Sequence, residues 1–174
     1  MIDELRFAGT LGTALGCGLV GGIFFGFSSF VMRALDRLTP VNGIAAMQSI
    51  NVVVLNPWFM VPFMGTAVGC VILGTSSLLH WRQPGHLLVI AGSALYLIGT
   101  LGVTIVFNVP RNDALAAVDA SSSDGAAVWA RYVNEWTDWN TVRTATALAA
   151  GALLIVALLL DYGRMAHETR QSGP

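Results

Sequence analysis

The stretch FAGTLGTALGCGLVGGIFFGFSSFVM, residues 7–32, contains no charged side chain. About 20 apolar residues cross the ~30 Å hydrocarbon layer of a bilayer as a helix, so this stretch is long enough to span. Backbone polar groups in lipid must be bonded within the segment, which requires a helix or a closed barrel. Apolar and polar residues do not alternate with period two here, and that argues against a barrel. Three further charge-free runs follow, at residues 38–81, 83–110 and 144–160. The run 38–81 is too long for one span and too short for two with a turn. It divides at Asn56-Pro57, which reads as an N-cap followed by proline in the first helical turn. The expected spans are 7–32, 57–79, 86–107 and 139–160, with the second bent near Pro62. The fold class is therefore all-α: a four-helix transmembrane bundle forming a single integral membrane domain over residues 1–174.

Composition agrees. Hydrophobic residues make up 55% of the 174-residue chain and charged residues 11%, against about 25% charged in a soluble domain. Such a chain is too apolar for disorder. Net charge is −1, every basic residue is Arg, and none cluster, so no nucleic acid is expected as a partner. Cys17 and Cys70 lie in apolar segments without a CxxC pattern and read as small buried hydrophobes. The acidic start, Met1-Ile-Asp-Glu-Leu-Arg6, and the length of the first run are unlike a secretory signal, so the first span is expected to be retained. An even number of spans puts both termini on one side, with Arg6, Arg82, Arg164 and Arg170. The other side holds Arg33, Arg37, Arg111, Arg131 and Arg143. The balance is nearly even; the short loop with Arg82 and the tail with Arg164 favour cytoplasmic termini.

Small residues four apart let helices approach closely in lipid. Gly12 and Gly16, Gly18, Gly22 and Gly26, Gly65 and Gly69, and Ala145, Ala149 and Ala152 have that spacing or one close to it. They predict packing within the bundle, with homo-oligomerisation through a glycine stripe as the alternative. All five tryptophans fall at or beyond span ends, as interfacial rings do. The loop 34–56 carries Thr39-Pro40 and then an apolar segment, expected to be a short helix at the interface or folded onto the bundle. The loop 109–138 is expected to be helical around a break at Ser121-Ser-Ser-Asp-Gly125. Residues 80–85 make a tight turn. Function is expected on the long-loop side.

Polar residues converge there. Ser93, Tyr96, Thr100, Thr104 and Asn108 share one face of the third span, and Trp129, Tyr132, Trp136, Asn140 and Arg143 share one face of the fourth helix. Polar side chains in lipid face the bundle interior. An arginine in this position either snorkels to the interface or holds a fixed charge inside a pocket. Gln48, Asn51, Asn56 and Asn112 add amides from the same end. Together with Asn108 and Asn140 they predict a structural network or a pocket. No span carries Asp, Glu, Lys or His at mid-depth, which excludes the usual parts of pumps and ion-coupled transporters. His80, His86 and His167 have no ligand spacing, so no metal site is expected.

Five segments carry a resemblance: Gly22-Ile-Phe-Phe-Gly-Phe-Ser-Ser-Phe30, Met47-Gln-Ser-Ile-Asn51, Asn56-Pro57, Asn108-Val-Pro-Arg-Asn112 and Trp136-Thr-Asp-Trp-Asn-Thr-Val-Arg143. In this order and spacing the chain resembles the anthrone-oxygenase-like family of small membrane proteins, many of them bacterial. The resemblance implies a four-span bundle in a cell membrane and, by analogy with fungal members, oxidation of an anthrone to an anthraquinone. Molecular oxygen is then the co-substrate and no further cofactor is implied. The matching positions are Asn108, Asn112, Trp136, Asn140 and Arg143; position 141 is Thr where the fungal pattern often has His. The implied roles are Arg143 and Asn140 at the oxyanion, Asn108 and Asn112 orienting it, and Trp136 and Trp129 stacking on a flat tricycle. Gln48, Asn51 and Asn56 are the remaining candidates for binding a lipophilic substrate that arrives from the bilayer. The rival expectation is a non-enzymatic membrane scaffold or small-molecule-binding protein.

Overall fold

The computed structural model describes the backbone of residues 2–171 and the side chains of residues 4–161. Arg164, His167 and Arg170 thus lie outside the described side chains. The described chain is helical throughout, without strands. Helix α1 (Ile2–Gly26) runs through a π-helical segment, Phe27–Val31, into α2 (Met32–Asp36). Then come α3 (Pro40–Val53), α4 (Pro57–Leu79) and α5 (His86–Ala94). Two π-helical segments, Leu95–Gly102 and Thr104–Asn108, carry α5 into α6 (Val109–Ala116), and α7 (Gly125–Gln171) closes the chain. Four stretches are long and apolar enough to cross a membrane: Glu4–Asp36, Pro57–Leu79, His86–Ala116 and Gly125–Asp161.

Local chemistry explains the boundaries. Asn56 Oδ1 accepts hydrogen bonds from the Trp58 and Phe59 amides at 2.9 and 3.3 Å, and Pro57 occupies the first turn, so α4 starts as expected. The helix then continues through Pro62. Gly85 sits at φ +80°, in the left-handed region that suits glycine. A Cβ there would lie 3.2 Å from the Ala157 carbonyl oxygen, so the tight reversal between α4 and α5 has no room for a side chain.

Three span ends differ from expectation: the fourth span starts at Gly125, well before Trp139. The first continues past Met32 to Asp36, and the third continues past Phe107 to Ala116. Pro110 lacks an N–H and ordinarily interrupts a helix. Just before it the ladder is widened: the Val109 amide bonds to the Thr104 carbonyl, an i→i+5 step, so the helix carries on through the proline. The Arg111 guanidinium donates to the Phe107 carbonyl at 2.8 Å, a side-chain bond back onto the same turn. Beyond α6, the Asp119 carboxylate accepts from the Ser121 amide and hydroxyl at 2.9 and 2.7 Å; these bonds hold its carboxyl below its ordinary range and turn the chain toward α7.

The bundle is a square. Helix α1 packs against α4 and α7, and the third span packs against the same two helices from the opposite corner. Its core is made of small and medium side chains, among them Ala14, Cys17, Val20, Ala67, Cys70, Ala147, Ala150, Leu154 and Ala157. Glycine makes the closest contacts. Gly16 lies against Thr66, Gly69 against Thr13 and Gly99 against Thr146, leaving no space for a Cβ at any of them. The glycine stripe of α1 is split, however: Gly12, Gly18 and Gly22 face outward into open space. The alanine seam is also shifted. Ala145, Ala149 and Ala152 are exposed, and Ala147 and Ala150 are buried instead. The buried face of α7 follows Asn140, Arg143, Ala147, Ala150 and Leu154, so the polar residues and the seam share one register.

On the long-loop side a second core forms from Met32, Ile44, Met47, Leu115, Trp129, Tyr132 and Trp136. Helices α3 and α6 fold onto the first turns of α7 to build it. Gly43 allows the approach, because a Cβ there would stand 2.7 Å from the Trp129 ring. Trp129 and Trp136 are therefore buried, unlike Trp58, which is 92% exposed at a span end. The interfacial reading of the tryptophans fails where loop helices cover the ring.

Candidate functional site

Arg143 lies between the two cores. It is 4% exposed. Its guanidinium sits 4.1 Å over the Phe24 ring, from the membrane core, and 5.1 Å over the Trp136 ring, from the loop-side core. Nη2 donates to Asn140 Oδ1 at 2.7 Å and Nη1 to Thr104 Oγ1 at 3.2 Å, while Nε is buried without a hydrogen-bond partner. Arg6 pairs with Asp161 and Arg111 with Glu135, but Arg143 pairs with no carboxylate among the described residues. A cation removed from water is costly unless it is paired and hydrogen-bonded. Ring contacts return about 0.5–2 kcal/mol each, and neutral acceptors supply part of the remainder.

Asn140 ties three elements together. Its Nδ2 donates to the Phe24 carbonyl and to Ser28 Oγ, both at 2.7 Å, and its Oδ1 accepts from Arg143. The wider turn at Phe27–Val31 begins just after Phe24, and such π segments often mark functional positions in helices. Ser28 Oγ lies 3.0 Å from Thr141 Oγ1, so a polar line runs from the helix surface to the guanidinium. Asn108 is fully buried. Its Nδ2 donates to the Trp136 carbonyl at 3.2 Å, and its Oδ1 has no partner. Thr137 Oγ1 is likewise buried and unpartnered.

The amide of Asn112 serves the aromatic side. Its Oδ1 accepts from Trp136 Nε1 at 2.8 Å and from the Tyr132 hydroxyl at 2.9 Å. Asn51 Nδ2 reaches the Tyr132 oxygen at 3.5 Å. The rings of Trp129, Tyr132 and Trp136 lie nearly parallel in succession, with centroids 5.8 and 6.3 Å apart. Trp129 Nε1 is buried without a partner.

The expected residues thus separate into groups. Asn108, Trp136, Asn140 and Arg143 form one connected cluster, joined through Trp136 to Asn112. Asn51 and Trp129 flank it through Tyr132. Gln48 donates to the Leu115 and Val118 carbonyls at 2.9 and 3.0 Å and so fastens α3 to α6. Asn56 bonds only within its own turn, to Val53, Trp58 and Phe59, and the structure does not bring it to the cluster. Phe24, Ser28 and Thr104 join without having been expected as site residues. Thr104 had a signal, its place on the polar face of the third span. Phe24 and Ser28 lie in the segment 22–30 that carries the resemblance, but an apolar residue in a span otherwise reads as core, so Phe24 was not singled out.

The cluster consists of amides, hydroxyls, indoles and one guanidinium, a set rich in hydrogen-bond donors. Among the described residues, no three His, Cys, Asp or Glu side chains lie close enough to hold a metal. A surface cavity of about 430 Å³, lined by Trp81, Arg82, Gln83, Pro84, Gly85, Leu87 and Leu88, lies at the tight-loop end and does not touch the cluster.

Fold and site together define a small helical membrane protein of four spans, with a buried cation at the junction of two cores. The anthrone oxygenase family model matches residues 58–153, more than half of the chain, and the chain belongs to that family. The match includes Asn108, Asn112, Trp136, Asn140 and Arg143, but begins after the Phe24 and Ser28 that complete the cluster. No curated protein and no solved structure matched the chain.

Proposed function

We propose that this protein is an oxygenase that uses O₂ to convert an anthrone-type methylene of a lipophilic polycyclic or phenolic substrate to a carbonyl. The observation that carries the reading is Arg143, a buried cation held by neutral acceptors between two aromatic rings. Loss of a proton from an anthrone gives an electron-rich enolate, which reacts with O₂ directly. The protein's part is then to bind the flat ring system and stabilise the oxyanion. A donor preorganised in a water-poor site is worth about 2.7–4 kcal/mol to such a step. Arg143 and Asn140 fill that role, Asn108 and Asn112 set its geometry, and Trp136 with Trp129 offers stacking surfaces. Substrate arrives from the bilayer of a cell membrane, and we place the termini in the cytoplasm. The outward Gly12, Gly18 and Gly22 support self-association through α1.

Incubating the detergent-solubilised protein with several emodin-type anthrones under O₂ tests the reading. Quinone formation above the spontaneous rate supports it, and none for any anthrone counts against it. A specific observation favours a second reading, a non-enzymatic scaffold: the amides of Gln48, Asn108 and Asn140 all bond to backbone carbonyls of other helices, as structural ties do. Under that reading Asn140→Ala lowers thermal stability and there is no turnover to lose.

A further inference from the structure

We propose that the site takes its ligand as a ready-made anion, a planar aromatic carrying one ionised oxygen group, so that no side chain of the protein removes the proton. The inference rests on the oxygenase reading and narrows its substrate class. Three observations lead to it. Arg143 is 96% removed from solvent yet pairs with no carboxylate among the described residues. Its Nη groups contact only neutral oxygens, from Asn140 and Thr104, and its Nε has no partner at all. The residues bonded or stacked to it, Phe24, Thr104, Trp136 and Asn140, contain no carboxylate, imidazole or amine that could act as a base.

A buried cation without a counterion favours an anion that replaces neutral acceptors, because a charge-assisted bond is roughly twice as strong as a neutral one. The form such a site selects is therefore the one already ionised in water. The proton is then lost to water at the interface and not to the protein. The balance closes. Enolate and O₂ form a carbon–oxygen bond to give a hydroperoxide anion; cleavage of its O–O bond and loss of the remaining C–H proton yield the ketone and hydroxide. Hydroxide and the proton released earlier make water, so the methylene is oxidised by four electrons and O₂ is reduced by four. Asn140 is a positioning residue in this scheme: bonded to Phe24 and Ser28, it fixes one guanidinium edge and leaves the cation to the ligand.

The test is anaerobic binding of an isosteric pair, anthracene-2-carboxylate and anthracene-2-carboxamide, to the full chain in detergent, read by quenching of tryptophan fluorescence. Turnover of 1,8-dihydroxyanthrone under O₂ is measured in parallel. The carboxylate is expected to bind about ten- to a hundredfold more tightly than the amide, and Arg143→Gln to abolish the preference while Arg143→Lys keeps part of it. The wild-type comparison stands even if a variant fails to fold. Equal binding of the pair, or preference for the amide, overturns the anion proposal, and turnover alongside either result leaves the oxygenase reading intact. Anion preference without turnover of this or any other anthrone tested supports the site and removes the oxygenase reading. Absence of binding by both ligands overturns the proposal.

Discussion

At the end that carries the termini, Gly85 reverses the chain between α4 and α5, and Arg6 of α1 meets Asp161 of α7 at 3.1 Å. At the other end α3 and α6 fold over α7, a second core of large side chains grows there, and Arg143 meets only amide, hydroxyl and ring. Both ends bring an arginine to the edge of the hydrocarbon. The first satisfies it with a carboxylate at the half-buried surface, where an ion pair costs little. The second buries it without one. The first cation is held by an anion, the second by aromatic rings, a hydroxyl and Asn140, and on the proposed reading it is the second that a ligand meets. The contrast also covers packing. Close glycine–threonine contacts bring the spans together, whereas indole and phenol rings fill the wider space under the loops.

The strongest way to break this comparison is to empty the loop-side core. Trp136→Ala removes a ring that contacts Arg143, Phe27 and Tyr132 and that donates to Asn112. It is expected to cost about 3–5 kcal/mol, read as a large fall in Tm in detergent; a shift below two degrees would mean the second core contributes little. Next is Gly43→Ala. The new methyl meets the broad Trp129 ring at 2.7 Å, and the overpacking is expected to cost about 1–3 kcal/mol. Gly18→Ala, on the outward face of α1 with nothing within 4 Å, is its control and should leave monomer stability unchanged or slightly raised. Asn112→Ala strands two buried donors, Tyr132 Oη and Trp136 Nε1, and is expected to cost about 1–3 kcal/mol, with a red or blue shift in Trp136 emission as the indole loses its acceptor. The smallest effect belongs to the opposite end. Arg6→Gln breaks a pair whose side chains are 28% and 27% exposed, and unfolding should change by about 0–1 kcal/mol, fading further in high salt.

Periodicity made much of this legible. Ser93, Tyr96, Thr100, Thr104 and Asn108 share a face at a spacing of three or four, and all turn inward. Asn140 and Arg143 do the same on α7, because polar groups in lipid have nowhere else to go, whereas Trp129, Tyr132 and Trp136 on the same face turn inward because α3 and α6 cover them. The alanine register was not legible: an alanine is equally at home in a helix seam and against acyl chains, so Ala145 and Ala147 look alike in sequence. The two-sided clasp of Phe24 and Trp136 on the guanidinium was hidden for a related reason, since an aromatic residue in a span has many possible neighbours. The π segments were hidden too. They arise from shifted backbone bonding that no residue type announces, yet they carry the third span through Pro110 and lie beside the bond from Asn140 to Phe24. Asn56 illustrates the reverse error. Its N-cap role was visible in the sequence, and that local role accounts for all its bonds.

The most direct test of the unpaired cation as the working group compares the two arginines in one assay: O₂-dependent oxidation of 1,8-dihydroxyanthrone by Arg143→Gln and by Arg6→Gln, each at a temperature well below its own Tm. If Arg143 holds the oxyanion as proposed, its removal lowers kcat at least about a hundredfold, while the Arg6 variant keeps wild-type turnover. Wild-type turnover retained by a folded Arg143→Gln protein would contradict the account.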